Sequence, residues 1–95
     1  MKSEYQKKVI SKIKDARIIR GLGQKFLASE LNVSCGLIGC IESNNTPHKY
    51  TLAQIYLLCQ ALGISINEVF SVDNNISDAN ELLAATIEKI IEYEG

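Results

Sequence analysis

Two apolar-patterned segments, residues 24–31 and 35–43, are separated by only three residues, and this spacing constrains the fold more than any other feature. Asn32 opens the gap, and asparagine is among the residues other than glycine that best tolerate a positive φ angle. Ser34 closes the gap and offers a hydroxyl group as an N-cap for the segment that follows. We therefore predict two short helices joined by a tight turn.

The remaining sequence also predicts helices separated by short turns. The expected helices cover residues 5–20, 24–31, 35–43, 51–62, 65–70 and 78–93. Gly21 and Gly63 follow two of these helices, where a left-handed residue commonly ends a helix. Thr51 and Ser65 each precede a Gln or Glu by three residues, which is the spacing of a capping box. Because no alternating apolar pattern is long enough for a strand, we predict an all-α fold.

Charge is distributed unevenly along the chain. Residues 1–50 carry nine Lys/Arg and four Asp/Glu, a net charge of +5, whereas residues 51–95 carry one Lys and seven Asp/Glu, a net charge of −6. The electrostatic field at a surface depends on the local patch rather than on the charge of the whole chain. The basic half is therefore the candidate nucleic-acid face. The alternative is that the lysines of the first helix simply form a solvated face.

Three cysteines, Cys35, Cys40 and Cys59, and one histidine, His48, limit the chemistry of the chain. Without a CxxC pair or four suitable ligands, we expect no metal and no cofactor. A single histidine does not support a Ser/His/Asp or Cys/His arrangement, so we expect no enzymatic activity. The 25 residues after position 70 are too few for a ligand-binding domain, so we expect no small-molecule ligand. An odd number of cysteines suits the reducing cytosol. With neither a signal-peptide pattern nor an apolar run of membrane-spanning length, we expect a cytoplasmic protein without membrane contact.

Residues of about 9 to 70 resemble the Cro/CI-type (XRE) helix-turn-helix domain of phage repressors and bacterial regulators. The resemblance centres on residues 24–43, QKFLASELNVSCGLIGCIES, where Ala28 stands at a normally alanine position and Asn32 at a usual glycine position. The apolar positions of the motif are occupied by Leu27, Leu31, Val33, Ile38 and Ile41. The downstream segment TLAQIYLLCQALGISINEVF looks like the fourth and fifth helices of the family. The resemblance implies a five-helix lambda-repressor-like domain over residues 1–71, followed by a C-terminal amphipathic helix.

The resemblance also implies which residues meet double-stranded DNA. It places the start of the third helix against base edges in the major groove. The residues there are Ser34, Cys35, Gly36, Leu37 and, one turn further on, Cys40. It assigns phosphate contacts to the start of the second helix and to the loop after the third, at Gln24, Lys25, Asn44, Asn45, His48, Lys49 and Tyr50. Because few of the base-facing side chains form strong hydrogen bonds, we expect DNA shape and phosphate contacts to carry more of the specificity.

Arg17 and Glu42 align with a further family feature, a largely buried salt bridge between the first helix and the end of the third. The resemblance implies that this pair belongs to the architecture and not to the DNA contacts. Removing one partner of a buried ion pair costs about 3–5 kcal/mol. We therefore expect both residues to stabilise the fold.

Residues 72–95 form a predicted linker and a last helix with an apolar stripe. The stripe consists of Leu82, Leu83, Ile87, Ile90 and Ile91. This helix either folds back on the first helix or pairs with a second subunit, and we favour dimerisation. The expected function is a sequence-specific transcriptional regulator that binds DNA as a homodimer. The alternative is a protein-interaction module of the same fold, such as an antitoxin or antirepressor.

Overall fold

The computed structural model describes residues 1–73 and 75–95, so Asn74 of the predicted linker lies outside the described residues. Six α-helices occur in these ranges: α1 Glu4–Ile19, α2 Gln24–Leu31, α3 Cys35–Glu42, α4 Leu52–Leu62, α5 Ile66–Phe70 and α6 Ala79–Glu94. Each boundary lies within one residue of the predicted one. The described residues contain no strand, so the all-α prediction is confirmed. None of these helices combines the length and apolarity that crossing a bilayer requires.

Local hydrogen bonds fix the turn between α2 and α3. Asn32 adopts the left-handed conformation with φ 55°, and its backbone N–H donates back to the end of α2. The Ser34 hydroxyl accepts a 3.1 Å hydrogen bond from the backbone N–H of Leu37, as expected for an N-cap. Elsewhere, the predicted capping box at Ser65 is only half formed: its hydroxyl accepts from the backbone N–H of Glu68, without a reciprocal side-chain bond among the described residues.

Helices α1 to α5, together with the end of α6, surround one apolar core. Its large, fully buried side chains are Val9, Ile13, Leu27, Ile38, Ile41, Tyr50, Ile55, Leu58, Val69, Phe70 and Tyr93. Complete burial of an aliphatic or aromatic side chain contributes about 1.5–3 kcal/mol. Ala28 is also buried, and its small side chain lets α2 and α3 pack closely together. This packing holds α3 at a fixed angle on the surface of the core.

Helix α6 folds back on α1 and α5 within the same chain. Tyr93 is fully buried, and its ring meets that of Phe70 edge-on with the centroids 5.9 Å apart. The apolar stripe is therefore divided between two environments. Leu82 and Ile90 pack against the core, whereas Leu83, Ile87 and Ile91 are 59%, 46% and 63% exposed. Of the two arrangements that the sequence left open, the structure contains the intrachain one, and three of the five stripe residues stay exposed.

Candidate nucleic-acid interface

The first turn of α3 and the residue before it form an open surface. Ser34, Cys35 and Gly36 are exposed, while Leu37 and Cys40 are half-buried. Because the Ser34 hydroxyl accepts from a backbone N–H, its own hydrogen remains free to donate. Leu37 also packs against the core, so only part of its side chain can reach a ligand. The surface therefore offers one hydroxyl, one exposed thiol and little else for hydrogen bonding to a base.

Gly36 has no side chain, so the middle of this surface is recessed to the helix backbone. A Cβ atom built at Gly36 would meet only the Ser34 hydroxyl oxygen, 4.0 Å away. Its φ angle is not in the left-handed region, so neither packing nor backbone conformation requires glycine here. The consequence of this glycine is that the backbone of α3 is accessible to an approaching molecule.

Beneath the surface, Arg17 and Glu42 join α1 to the last turn of α3. The guanidinium group of Arg17 donates hydrogen bonds of 2.8 and 2.7 Å to the two carboxylate oxygens of Glu42. The two side chains are only 11% and 3% exposed. The salt bridge implied by the resemblance is therefore present and buried. Arg17 also donates to the carbonyl of Leu22, which ties the start of α2 to the same pair.

The same network includes Gln24, the first residue of α2. Its side-chain amide donates a 3.0 Å hydrogen bond to Glu42. Burial by itself raises the pKa of the Glu42 carboxyl, but the hydrogen bonds from Arg17 and Gln24 outweigh it and hold that pKa below its ordinary value. Glu42 is the only carboxylate side chain of α3, and Arg17 of α1 neutralises its charge. The exposed face of α3 thus carries no negative charge.

This bond limits the expected role of Gln24. The resemblance assigns its side chain to a phosphate, and one of the two N–H donors of its amide is already bound to Glu42. Lys25 beside it is exposed. The N-cap residue of α2, Gly23, has no side chain to accept the first backbone N–H groups of the helix. Those N–H groups and the Lys25 ammonium are the further donors at this end of α2 whose charge suits an anion.

The loop after α3 has an exposed part and an anchored part. Asn44, Asn45 and His48 are exposed, as a phosphate-contacting loop requires. Tyr50 is 1% exposed, so its predicted phosphate contact is wrong. Its ring fills the core beside the Arg17–Glu42 pair, where an aromatic side chain gains more from burial than from solvent contact.

Lys49, like Tyr50, contacts the rest of the protein instead of extending freely into solvent. Its ammonium group donates hydrogen bonds of 3.4 and 3.3 Å to the carbonyls of Tyr93 and Glu94, at the end of α6. It also lies 5.2 Å from the centre of the Tyr93 ring. A cation at a helix C-terminus stabilises the exposed carbonyl groups. Lys49 is therefore a bridge between this loop and α6, and only part of it is open to a ligand.

Sequence reasoning missed Lys2 and Gln6. Lys2 is 6% exposed, and its ammonium group donates to the carbonyls of Ile41 and Ser43 at 2.7 and 2.6 Å, which caps the end of α3. Burial lowers the pKa of Lys2, and the nearby Lys7 charge acts in the same direction. Gln6 donates a 2.6 Å bond to the carbonyl of Tyr93. These contacts span 39 to 87 positions, so no local pattern in the sequence indicates them.

The structure brings three of the predicted segments together at one place. The start of α2 contacts the end of α3 through Gln24 and Glu42. The loop reaches back over α3, where the Thr46 hydroxyl donates to the carbonyl of Cys40. No protein-family model matches the chain, and no match to it was found among curated proteins or solved structures. The function is therefore argued from this geometry.

Proposed function

We propose that this protein is a sequence-specific transcriptional regulator that places the N-terminal half of α3 in the major groove of double-stranded DNA. In this proposal, α1 to α5 form a Cro/CI-type domain of the lambda-repressor-like fold, and α2, the turn at Asn32 and α3 are its helix-turn-helix. The protein needs no cofactor and catalyses no reaction. The observation that carries the proposal is the exposed first turn of α3, which is free of negative charge and flanked by two segments suited to phosphate.

Phosphate contacts supply much of the proposed affinity. One set of proposed contacts is Lys25 with the first N–H groups of α2, and the other is Asn44, Asn45 and His48 in the loop after α3; all four side chains are exposed. Backbone contacts of this kind position a protein on the duplex without reading its sequence. The exposed side of α3 adds the Ser34 hydroxyl and a low surface at Gly36, so the shape and flexibility of the DNA contribute to specificity.

Selection of bound duplexes from a random-sequence pool tests this proposal. We expect enrichment of a defined site at low salt. The variant Gly36→Glu places a charge in open space on α3 and should fold normally but select no sequence. The matched control Asn80→Glu adds the same charge to an exposed position at the start of α6 and should select the same site as the wild type. Failure of the wild-type protein to enrich any sequence would contradict the proposal.

We further propose that the active form is a homodimer that binds two half-sites about one helical turn apart. Support comes from Leu83, Ile87 and Ile91, which recur every four residues along the outer face of α6 and remain exposed. Exposed apolar groups aligned on one helix face suit a second copy of the same helix. A dimer of this kind should select a site with two-fold symmetry.

The alternative proposal is a protein-interaction module of the same fold, such as an antitoxin or antirepressor. It is favoured by further exposed apolar side chains, since Ile18 and Ile19 at the end of α1 are 53% and 80% exposed. Ile19 lines an open groove of about 570 Å³ between α1 and α5. Tight binding of a defined protein partner through Ile19, together with no selected duplex, would favour this alternative.

A further inference from the structure

A second basic surface lies on α1, beside the end of α3. Lys7, Ser11 and Lys14 recur at spacings of four and three residues, which places them on one face of the helix, and Lys8 lies next to them. These four residues line a groove of about 320 Å³ together with Glu4, Ile10, Glu42 and Asn44. We call it the α1 groove.

The charges in the α1 groove favour an anion. Of its two carboxylates, Glu42 is buried and neutralised by Arg17. Glu4 pairs with Lys7 at 3.3 Å, but its side chain is 93% exposed, so water screens that pair. Among the described residues, Lys8 and Lys14 have no carboxylate within 4.0 Å. The α1 groove therefore holds three ammonium groups against one exposed carboxylate.

The α1 groove meets the proposed DNA surface at Asn44. It shares Asn44 with the loop after α3 and Glu42 with α3 itself, and Gln24 at the start of α2 donates to that same Glu42. Lys8 and Lys14 are separated by about 9 Å along the helix axis. One strand of B-DNA carries about three phosphates over such a length of the duplex axis. The spacing therefore suits contact with a short run of one DNA strand.

We infer that Lys8, Ser11 and Lys14 form a second phosphate-binding site, which holds DNA backbone flanking the segment contacted by α3. This inference rests on the proposed DNA-binding function and adds a specific footprint to it. The lysines act as mobile cations near the phosphates, and the Ser11 hydroxyl donates a hydrogen bond to a phosphate oxygen. The site adds affinity and salt dependence but does not read bases.

A pair of charge-matched double variants tests the inference. Lys8→Gln/Lys14→Gln removes two positive charges from the α1 groove, whereas Lys12→Gln/Arg20→Gln removes two from the other side of α1, next to α5. The measurement is the dependence of the binding constant on salt concentration, with the duplex selected by the wild type. The groove variant should lower the slope of log K against log salt by about 1 to 2, since each lost phosphate contact removes about 0.9. The control should change it by much less.

Phosphate ethylation interference then locates the contact. With the wild type, ethylation of phosphates at the flanks of the site and at its centre should weaken binding. With the groove variant, ethylation at the flanks should no longer matter, while ethylation at the centre should still weaken binding. Lys8→Arg/Lys14→Arg, which keeps both charges, should restore the effect at the flanks. Equal slopes and identical interference patterns for both double variants would mean that these lysines are a solvated face, and would overturn the inference while leaving DNA binding intact. If the wild type binds no duplex, both the inference and the proposed function are overturned.

Discussion

The hydroxyl group of Tyr93, in the last turn of α6, donates a 2.7 Å hydrogen bond to the backbone carbonyl of Tyr50, in the loop after α3. Gln6 binds the carbonyl of Tyr93 from α1, and Lys49 lies over its ring. The end of α6 is thereby fastened to the loop that flanks the proposed DNA surface. These contacts lie within one chain, so α6 stabilises the conformation of this loop independently of any partner on the outer face of the helix.

Tyr93→Phe and Tyr50→Phe should have different effects on stability, although each removes one buried oxygen atom. Tyr93→Phe leaves a buried carbonyl without its donor and should cost about 1–3 kcal/mol. The Tyr50 hydroxyl has no hydrogen-bond partner among the described residues, so Tyr50→Phe should be within about 0.5 kcal/mol of neutral, or stabilising. Urea denaturation measures both values. Equal losses for the two variants would contradict the arrangement around Tyr93.

The Arg17–Glu42 pair should make stability depend on acid pH. Its hydrogen bonds hold the pKa of Glu42 below the ordinary value of 4.5, so the pair stabilises the fold fully above that pH. This contribution is lost as the pH falls through the lowered pKa. Glu42→Gln should cost about 3–5 kcal/mol at neutral pH, because the buried Arg17 charge loses its partner. The free energy of unfolding, measured against pH, should show the difference between wild type and variant shrinking below pH 4.5; a difference independent of pH would count against the pair.

Gly36→Ala should separate stability from DNA binding. The added methyl group enters open space and should stabilise the helix by about 0.5–1 kcal/mol. The methyl group should also weaken binding to the selected duplex, because it adds bulk to the part of α3 that approaches the DNA groove. The control Gly39→Ala directs its methyl group at Gln24, at an ordinary contact distance of 3.6 Å, and should spare binding. Thermal denaturation and fluorescence anisotropy measure the two effects, and unchanged affinity for Gly36→Ala would argue against close approach of DNA at this residue.

Ile87→Asp should convert the proposed dimer into a monomer. Ile87 lies at the centre of the exposed stripe and is 46% exposed, so the variant should keep its helical content. Asn80→Asp introduces the same charge at an exposed position of α6 and should leave the dimer intact. Sedimentation velocity reports the mass directly. A wild-type protein that stays monomeric at high concentration, with and without DNA, would contradict dimerisation through α6.

Local signals were sufficient to predict the helices and the turn that positions α3. Asn32 and Ser34 specify their conformations through bonds to residues a few positions away, and such bonds leave a recognisable spacing in the sequence. Tyr50 and Lys49 were misjudged because their partners lie in the last turn of α6, 43 and 44 positions away. The sequence of α6 likewise identifies an apolar stripe but not which part of it faces α1, since that depends on packing between distant elements.

Protection of Cys35 from alkylation tests most directly whether the first turn of α3 enters a DNA groove. In a Cys40→Ala background Cys35 is the exposed thiol, while burial and the nearby Glu68 charge raise the pKa of Cys59 to about 11 and keep it unreactive. Saturating amounts of the selected duplex should slow the reaction of Cys35 with a maleimide severalfold. A cysteine introduced by Asn80→Cys, at the end of α6 remote from Tyr93, should react at the same rate with and without DNA. An unchanged rate at Cys35 in a saturated complex would contradict the placement of α3 in the groove.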